Sequence, residues 1–134
     1  SHSRYIVDAR YYLRENLDRY SDVFILPEAT EHSDPSWFGF LLTVREDAGF
    51  SREELVRAIE GKNIQTRMLF AGNLIYHPCF DSYRASGEGY RVVGELTNTD
   101  IIMNRTFWIG VYPGMDKARL DRMIEVIGTF VTER

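Results

Sequence analysis

With 134 residues, 44% of them hydrophobic and 27% charged, the chain has the size and composition of one globular domain and is too apolar for disorder. A net charge of −4 speaks against a nucleic-acid partner, which needs a basic face. Cys79, the single cysteine, excludes internal disulfides and a thiolate metal cluster held by this chain alone, and suits a reducing cytoplasm. No apolar run nears the roughly 20 residues that span a bilayer, so no membrane partner is expected.

Ser1-His2, with no Met before it, reads as the remnant of an affinity tag, and the chain is expected to be a piece of a longer protein. Ile6, Ala9, Leu13, Leu17 and Tyr20 then fall on one stripe of a helix over residues 4–20. Asp8, Arg10, Arg14, Glu15, Asp18 and Arg19 lie mostly outside that stripe. Such a helix packs on its own domain or on a domain outside this chain. Val23 to Leu26, stopped by Pro27, reads as a strand. Trp37 to Val44 is an almost unbroken run of strand formers, expected at the sheet centre or covered on both faces.

Ser51 and Glu54 make a capping box for a helix carrying Leu55, Ala58 and Ile59 inward to Gly61. Ile64 to Phe70 reads as a long strand, and Asn73 to Phe80 as a short turn or helix broken by Pro78. Asp81 to Gly89 reads as a polar loop, Leu96 to Arg105 as a helix, and Thr106 to Tyr112 as a further strand. Asp116 can cap a last helix bearing Leu120, Met123, Ile124, Ile127 and Val131, each contributing about 1.5–3 kcal/mol on burial. The fold class is therefore α/β (α+β): a small mixed sheet of three to four strands packed by helices.

The chemistry-bearing residues give no reaction. A triad needs a nucleophile, a base and an orienting acid, but His77 and Cys79 flank Pro78 and share no helix face; no Gly-x-Ser-x-Gly elbow exists. Cys79 reads as a small packed side chain. His32 with Asp34, or His77 with Cys79, supplies at most two neighbouring metal ligands. Gly87-Glu88-Gly89 lacks the strand, third glycine and helix of a dinucleotide cradle.

Two polar clusters remain. Arg67 stands mid-strand ahead of Phe70 and Asn73, where it can pair with a phosphate or bridge to a carboxylate such as Glu54; residue types alone favour the bridge. Asn104 and Arg105 precede an aromatic strand, after the cap-like Thr97-Asn98-Thr99-Asp100. Phe107 and Trp108 read as core or interface rather than stacking platforms.

Three stretches carry a resemblance: Ser33-Asp34-Pro35-Ser36-Trp37-Phe38-Gly39-Phe40, Thr66-Arg67-Met68-Leu69-Phe70-Ala71-Gly72-Asn73-Leu74, and Leu96 to Asp100 running into Met103 to Gly114. Together they resemble the C-terminal part of the CDP-4-keto-6-deoxyglucose 3-dehydrases of lipopolysaccharide O-antigen synthesis, within the vitamin-B6-dependent sugar aminotransferases. The likeness runs from about Ala9 to Phe130. It implies the small C-terminal domain of the aspartate-aminotransferase fold, with residues 4–20 as the interdomain helix and the cofactor-binding large domain outside this chain.

The resemblance also implies the chemistry. Pyridoxamine phosphate condenses with the 4-keto sugar, the C3 hydroxyl is eliminated, and a reductase delivers electrons through a [2Fe-2S] cluster. The cofactor, the cluster cysteines and a His in place of the Schiff-base Lys would belong to the large domain. This chain alone would then bind none of them and be inactive. The implied partners are that large domain, a CDP-hexose, the electron-donating reductase and a second copy in a full-length homodimer.

Arg67, Phe70 and Asn73, with Asn104 and Arg105 second, are the substrate-binding residues the resemblance points to. No catalytic residue and no metal ligand carries over. The loop from Asp81 to Gly89 departs from the family pattern by its length. A sugar aminotransferase and a stand-alone ligand-binding or interaction module are the alternatives. The fragment reading expects an exposed apolar patch, supplied by Trp37, Phe38 and the Ile6 to Leu17 stripe.

Overall fold

The computed structural model describes the backbone of residues 2–134 and the side chains from Ala9 onward. The tag reading of Ser1-His2 and the placement of Ile6 and Asp8 fall outside those described side chains. Helix α1, His2–Leu17, buries Ala9, Leu13 and Leu17 and lies along the last helix, α5, Lys117–Thr132. The first helix thus packs on its own domain, and Leu13 and Leu17 are no part of an exposed patch. Helix α5 opens at Asp116, whose carboxylate accepts the Arg119 N–H at 2.9 Å, and it buries Leu120, Ile124 and Ile127.

Four strands make one sheet in the order β1-β2-β4-β3: β1 Phe24–Ile25, β2 Gly39–Val44, β3 Thr66–Met68 and β4 Thr106–Gly110. The α/β class and the strand number are as read from the sequence. The pairings are antiparallel throughout rather than mixed. The apolar run ending at Val44 does take a central strand, β2. Phe40, Leu42 and Val44, with Phe107 and Ile109, join α1, α2 (Arg52–Glu60) and α5 in one buried cluster. By the two-residue period of a strand, the opposite face carries Gly39, Leu41 and Thr43 of β2 and Thr106, Trp108 and Gly110 of β4. The Thr43 and Thr106 hydroxyls meet there at 2.7 Å.

Three local expectations change. The strand read over Ile64 to Phe70 contracts to Thr66–Met68, because Asn63 (φ 63°) and Phe70 (φ 40°) are left-handed and end the extended run. The polar stretch from Asp81 contains helix α3, Asp81–Ser86, closed by Gly87 at φ 72° with its N–H on Tyr83 O at 2.8 Å. Arg10, placed outside the stripe, is only 2% exposed. Its guanidinium lies 4.1 Å from the Tyr11 ring centroid and 4.9 Å from that of Trp37, and donates to Pro35 O at 3.1 Å. Helix α4, Thr97–Arg105, runs directly into β4.

Candidate functional site

The most constrained backbone near the expected rim is the turn from Met68 to Asn73. Phe70 donates its N–H to Met68 O at 2.9 Å while holding a positive φ that bulky side chains avoid. Gly72 is also left-handed, at φ 64°, and a Cβ there would come within 2.7 Å of Met103 Cγ. The Asn73 N–H points at Met103 Sδ, 3.4 Å away. The turn is therefore pressed against α4, and only glycine allows that approach.

Phe70 is 80% exposed, yet its ring centroid sits 5.0 Å from Trp108 at 85°. Phe38, 77% exposed, stands 5.1 Å from Trp108 at 64° on another edge. Such edge-on contacts add about 0.5–1.5 kcal/mol each. Phe107 is core as read, but Trp108 lies on the open face, half-buried between two exposed rings. The alternation Phe107 in, Trp108 out, Ile109 in was the sequence signal for this.

Arg67 is the cross-strand partner of Trp108 and is exposed. Among the described residues it has no hydrogen-bond or ion-pair partner. The carboxylate bridge to Glu54 is not made: Glu54 Oε2 accepts the Ser51 N–H at 2.8 Å, and Oε1 takes Arg134 at 3.1 Å. Asn73 is only 2% exposed. Its Nδ2 donates to Asp100 Oδ1 at 2.9 Å, and its Oδ1 accepts the Ile75 N–H at 3.3 Å. It stands beneath the rim and braces the turn, rather than standing open on it.

Asn104 and Arg105 line a different groove, with Glu46, Phe50 and Arg52. Asn104 Nδ2 donates to Asp100 O at 2.8 Å, and Arg105 pairs with Glu46 at 3.2 Å. Asp100, not singled out for the site, thus joins both clusters: its carboxylate holds Asn73 and its carbonyl holds Asn104. His77 Nε2 contacts Ala71 O at 2.6 Å, and Cys79 is exposed rather than packed.

This chain's residues do not fit an iron-sulfur cluster, which takes four thiolates where there is one. Among the described residues, no three His, Cys, Asp or Glu stand together to hold a metal. Of the two lysines, Lys62 follows α2 in a turn. Lys117 is held protonated, its pKa raised first by its 2.6 Å bond to Asp121 and then by Tyr12. Among the described residues, no helix is long and apolar enough to cross a membrane.

Comparison with known proteins adds a context. Residues 7–128 match the DegT/DnrJ/EryC1/StrS aminotransferase family. The lipopolysaccharide biosynthesis protein RfbH of Salmonella typhimurium is 51% identical over 89% of this chain and 26% of its own length. The dTDP-4-dehydro-2,6-dideoxy-D-glucose 3-dehydratase of Saccharopolyspora spinosa is 49% identical over 90% of this chain and 25% of its own. The chain thus spans about a quarter of these relatives. A GDP-4-keto-6-deoxymannose-3-dehydratase with a trapped PLP-glutamate geminal diamine shares the fold at TM-score 0.76 and 19% identity, over 94% of this chain and 31% of that one. DesV of S. venezuelae, solved with a ketimine intermediate, does so at TM-score 0.77 and 16% identity, over 98% and 32%.

Proposed function

The chain belongs to that aminotransferase family, and from this premise we propose that it is the C-terminal small domain of a nucleotide-sugar 3-dehydratase dependent on pyridoxal or pyridoxamine phosphate. The rest of the polypeptide holds the cofactor. The substrate on this reading is a CDP-linked 4-keto-6-deoxyhexose, whose C3 hydroxyl is removed on the way to a 3,6-dideoxyhexose of lipopolysaccharide. A [2Fe-2S] cluster and its reductase belong to the same reading, with every thiolate ligand outside this domain. So do a homodimer and a cytoplasmic setting.

The observation that carries it is the open sheet face. There Arg67, a cation with no partner among the described residues, stands beside exposed rings at Phe70 and Phe38, in a chain half-identical to a named dTDP-sugar 3-dehydratase. An unpaired guanidinium on a water-facing strand suits a phosphate, which it meets with a planar fork. Arg67 and Phe70 contact the substrate, Asn73 sets the turn that presents Phe70, and Asn104 and Arg105 form a second contact at the neighbouring groove. The domain's part is to bind, orient and cover the substrate.

The test uses the full-length protein with CDP-4-keto-6-deoxyglucose, pyridoxamine phosphate and a reductant, with products read by mass spectrometry. Loss of the C3 oxygen supports the reading. An amino sugar whose nitrogen comes from glutamate replaces it with an aminotransferase, and no turnover of either kind favours a binding module.

A further inference from the structure

We propose that the open sheet face carries a seat for the planar base of a nucleotide, formed by the Phe38, Trp108 and Phe70 rings, with Arg67 alongside for the diphosphate. The proposal rests on the nucleotide-sugar reading above and states which half of the ligand this domain takes. Three rings gather in a continuous array, Trp108 in the middle at 5.1 Å from Phe38 and 5.0 Å from Phe70, with both outer rings largely in water. Water-facing phenyl rings gain nothing from the fold beyond their edge contacts, whereas bases of any kind stack on such surfaces. A cation with no partner among the described residues is one strand away, since Arg67 is the cross-strand neighbour of Trp108. One face therefore offers apolar rings and a free positive charge, the two halves of a nucleoside diphosphate's chemistry.

The backbone beside the rings is bare. Gly39 and Gly110 are direct partners across β2 and β4 on the same face as Trp108. Gly39 has an internal reason, because a Cβ there would crowd the Ile109 carbonyl oxygen at 3.1 Å while lying 3.4 Å from Trp108 Cγ. Gly110 has no such internal reason: a Cβ would meet nothing within 4 Å, and its φ is not positive. A strand glycine without an internal role fits close approach of a group from outside.

The experiment is equilibrium binding of CDP and of pyrophosphate to the full-length protein and its variants. In the double variant Phe38→Leu/Phe70→Leu, the Kd for CDP should rise about tenfold or more while pyrophosphate binding is unchanged. Arg67→Ala should weaken both. Gly110→Ala, which the domain's own packing tolerates, should weaken CDP at an unaltered melting temperature. Absence of CDP binding, or ring variants that weaken CDP and pyrophosphate equally or not at all, overturns the seat. So does a fall in melting temperature of the ring variants at constant CDP affinity, which would mean that the rest of the polypeptide covers this face. Sugar dehydration with ring-independent CDP binding sinks the seat alone; ring-dependent CDP binding in a protein that dehydrates no sugar sinks the dehydratase reading alone.

Discussion

Asn73 Nδ2 lies 2.9 Å from Asp100 Oδ1, across 27 residues of sequence, and this bond ties the turn that displays Phe70 to the helix that displays Asn104. Asn73 is taken almost wholly out of water and Asp100 partly so, which makes the bond count most for the asparagine.

Asn73→Ala should therefore cost about 1–3 kcal/mol, since it leaves the Asp100 carboxylate without its donor and removes the side-chain acceptor for the Ile75 N–H. Denaturant unfolding of the variant measures the loss. Because the turn loosens, the Phe70–Trp108 contact should weaken as well, seen as a changed tryptophan emission before unfolding begins.

Arg10 is another buried polar group with a distant partner. Arg10→Ala should destabilise the domain by about 1–3 kcal/mol, through lost packing between Tyr11 and Trp37 and a lost donor to Pro35 O. Asp34, its ionic partner, stays in water and adds little. Arg10→Lys should fail to restore stability, since an ammonium has neither the planar fork nor the flat face that the two rings enclose. Recovery by Lys to within a few tenths of a kcal/mol would show charge alone to be at work.

These two residues mark where the sequence stopped being legible. Local rules found what local forces make: the Ser51–Glu54 capping box, the Asp116 cap, the α5 stripe and the central β2 run. Arg10 looked like a solvated residue because, the adjacent Tyr11 apart, its partners come from residues 34–37, which only the fold brings near. Strand β3 was read too long because apolar composition does not reveal that Phe70 turns left-handed. Helix α3 was missed because its six residues, mostly polar, bury nothing and leave no hydrophobic period to read. At the site, Arg67 and Phe70 were visible as residue types in a motif. Phe38 was expected to be exposed and the alternation around Trp108 offered a signal, but gathering them beside Arg67, with Asp100 behind the turn, needed the register of β3 on β4 and the packing of α4 on the turn.

The capping box makes stability depend on acid pH. The Glu54 carboxyl is held below its usual pKa, first by the Ser51 backbone N–H and then by Arg134. Asp121 is lowered likewise by Lys117 and Tyr12. A group whose folded pKa is depressed contributes stability above its unfolded pKa and loses it as pH falls through the folded one. Melting temperature should therefore be level near neutrality and decline below about pH 4.5, where carboxylates begin to protonate. Glu54→Gln and Asp121→Asn should each start lower at pH 7 and decline less steeply. A parallel decline in variants and parent would show that other carboxylates govern the acid limb.

Phe70 offers the sharpest separation of folding from function. Its left-handed backbone costs roughly 1–2 kcal/mol for a residue with a Cβ, and its contact with Trp108 returns about 0.5–1.5 kcal/mol. Phe70→Gly removes both, and adds glycine's extra chain entropy of about 0.5–1 kcal/mol to the unfolded state. The terms nearly cancel, so unfolding free energy should stay within about 1 kcal/mol of the parent. In the full-length protein the same substitution should raise KM for the nucleotide sugar about tenfold or more, as expected when a stacking ring is deleted, and change kcat little. If the ring served only the fold, the pattern would reverse: stability would fall by more than 2 kcal/mol and KM would hold. Strain retained at an exposed residue with no return in stability is what a ligand-facing position predicts.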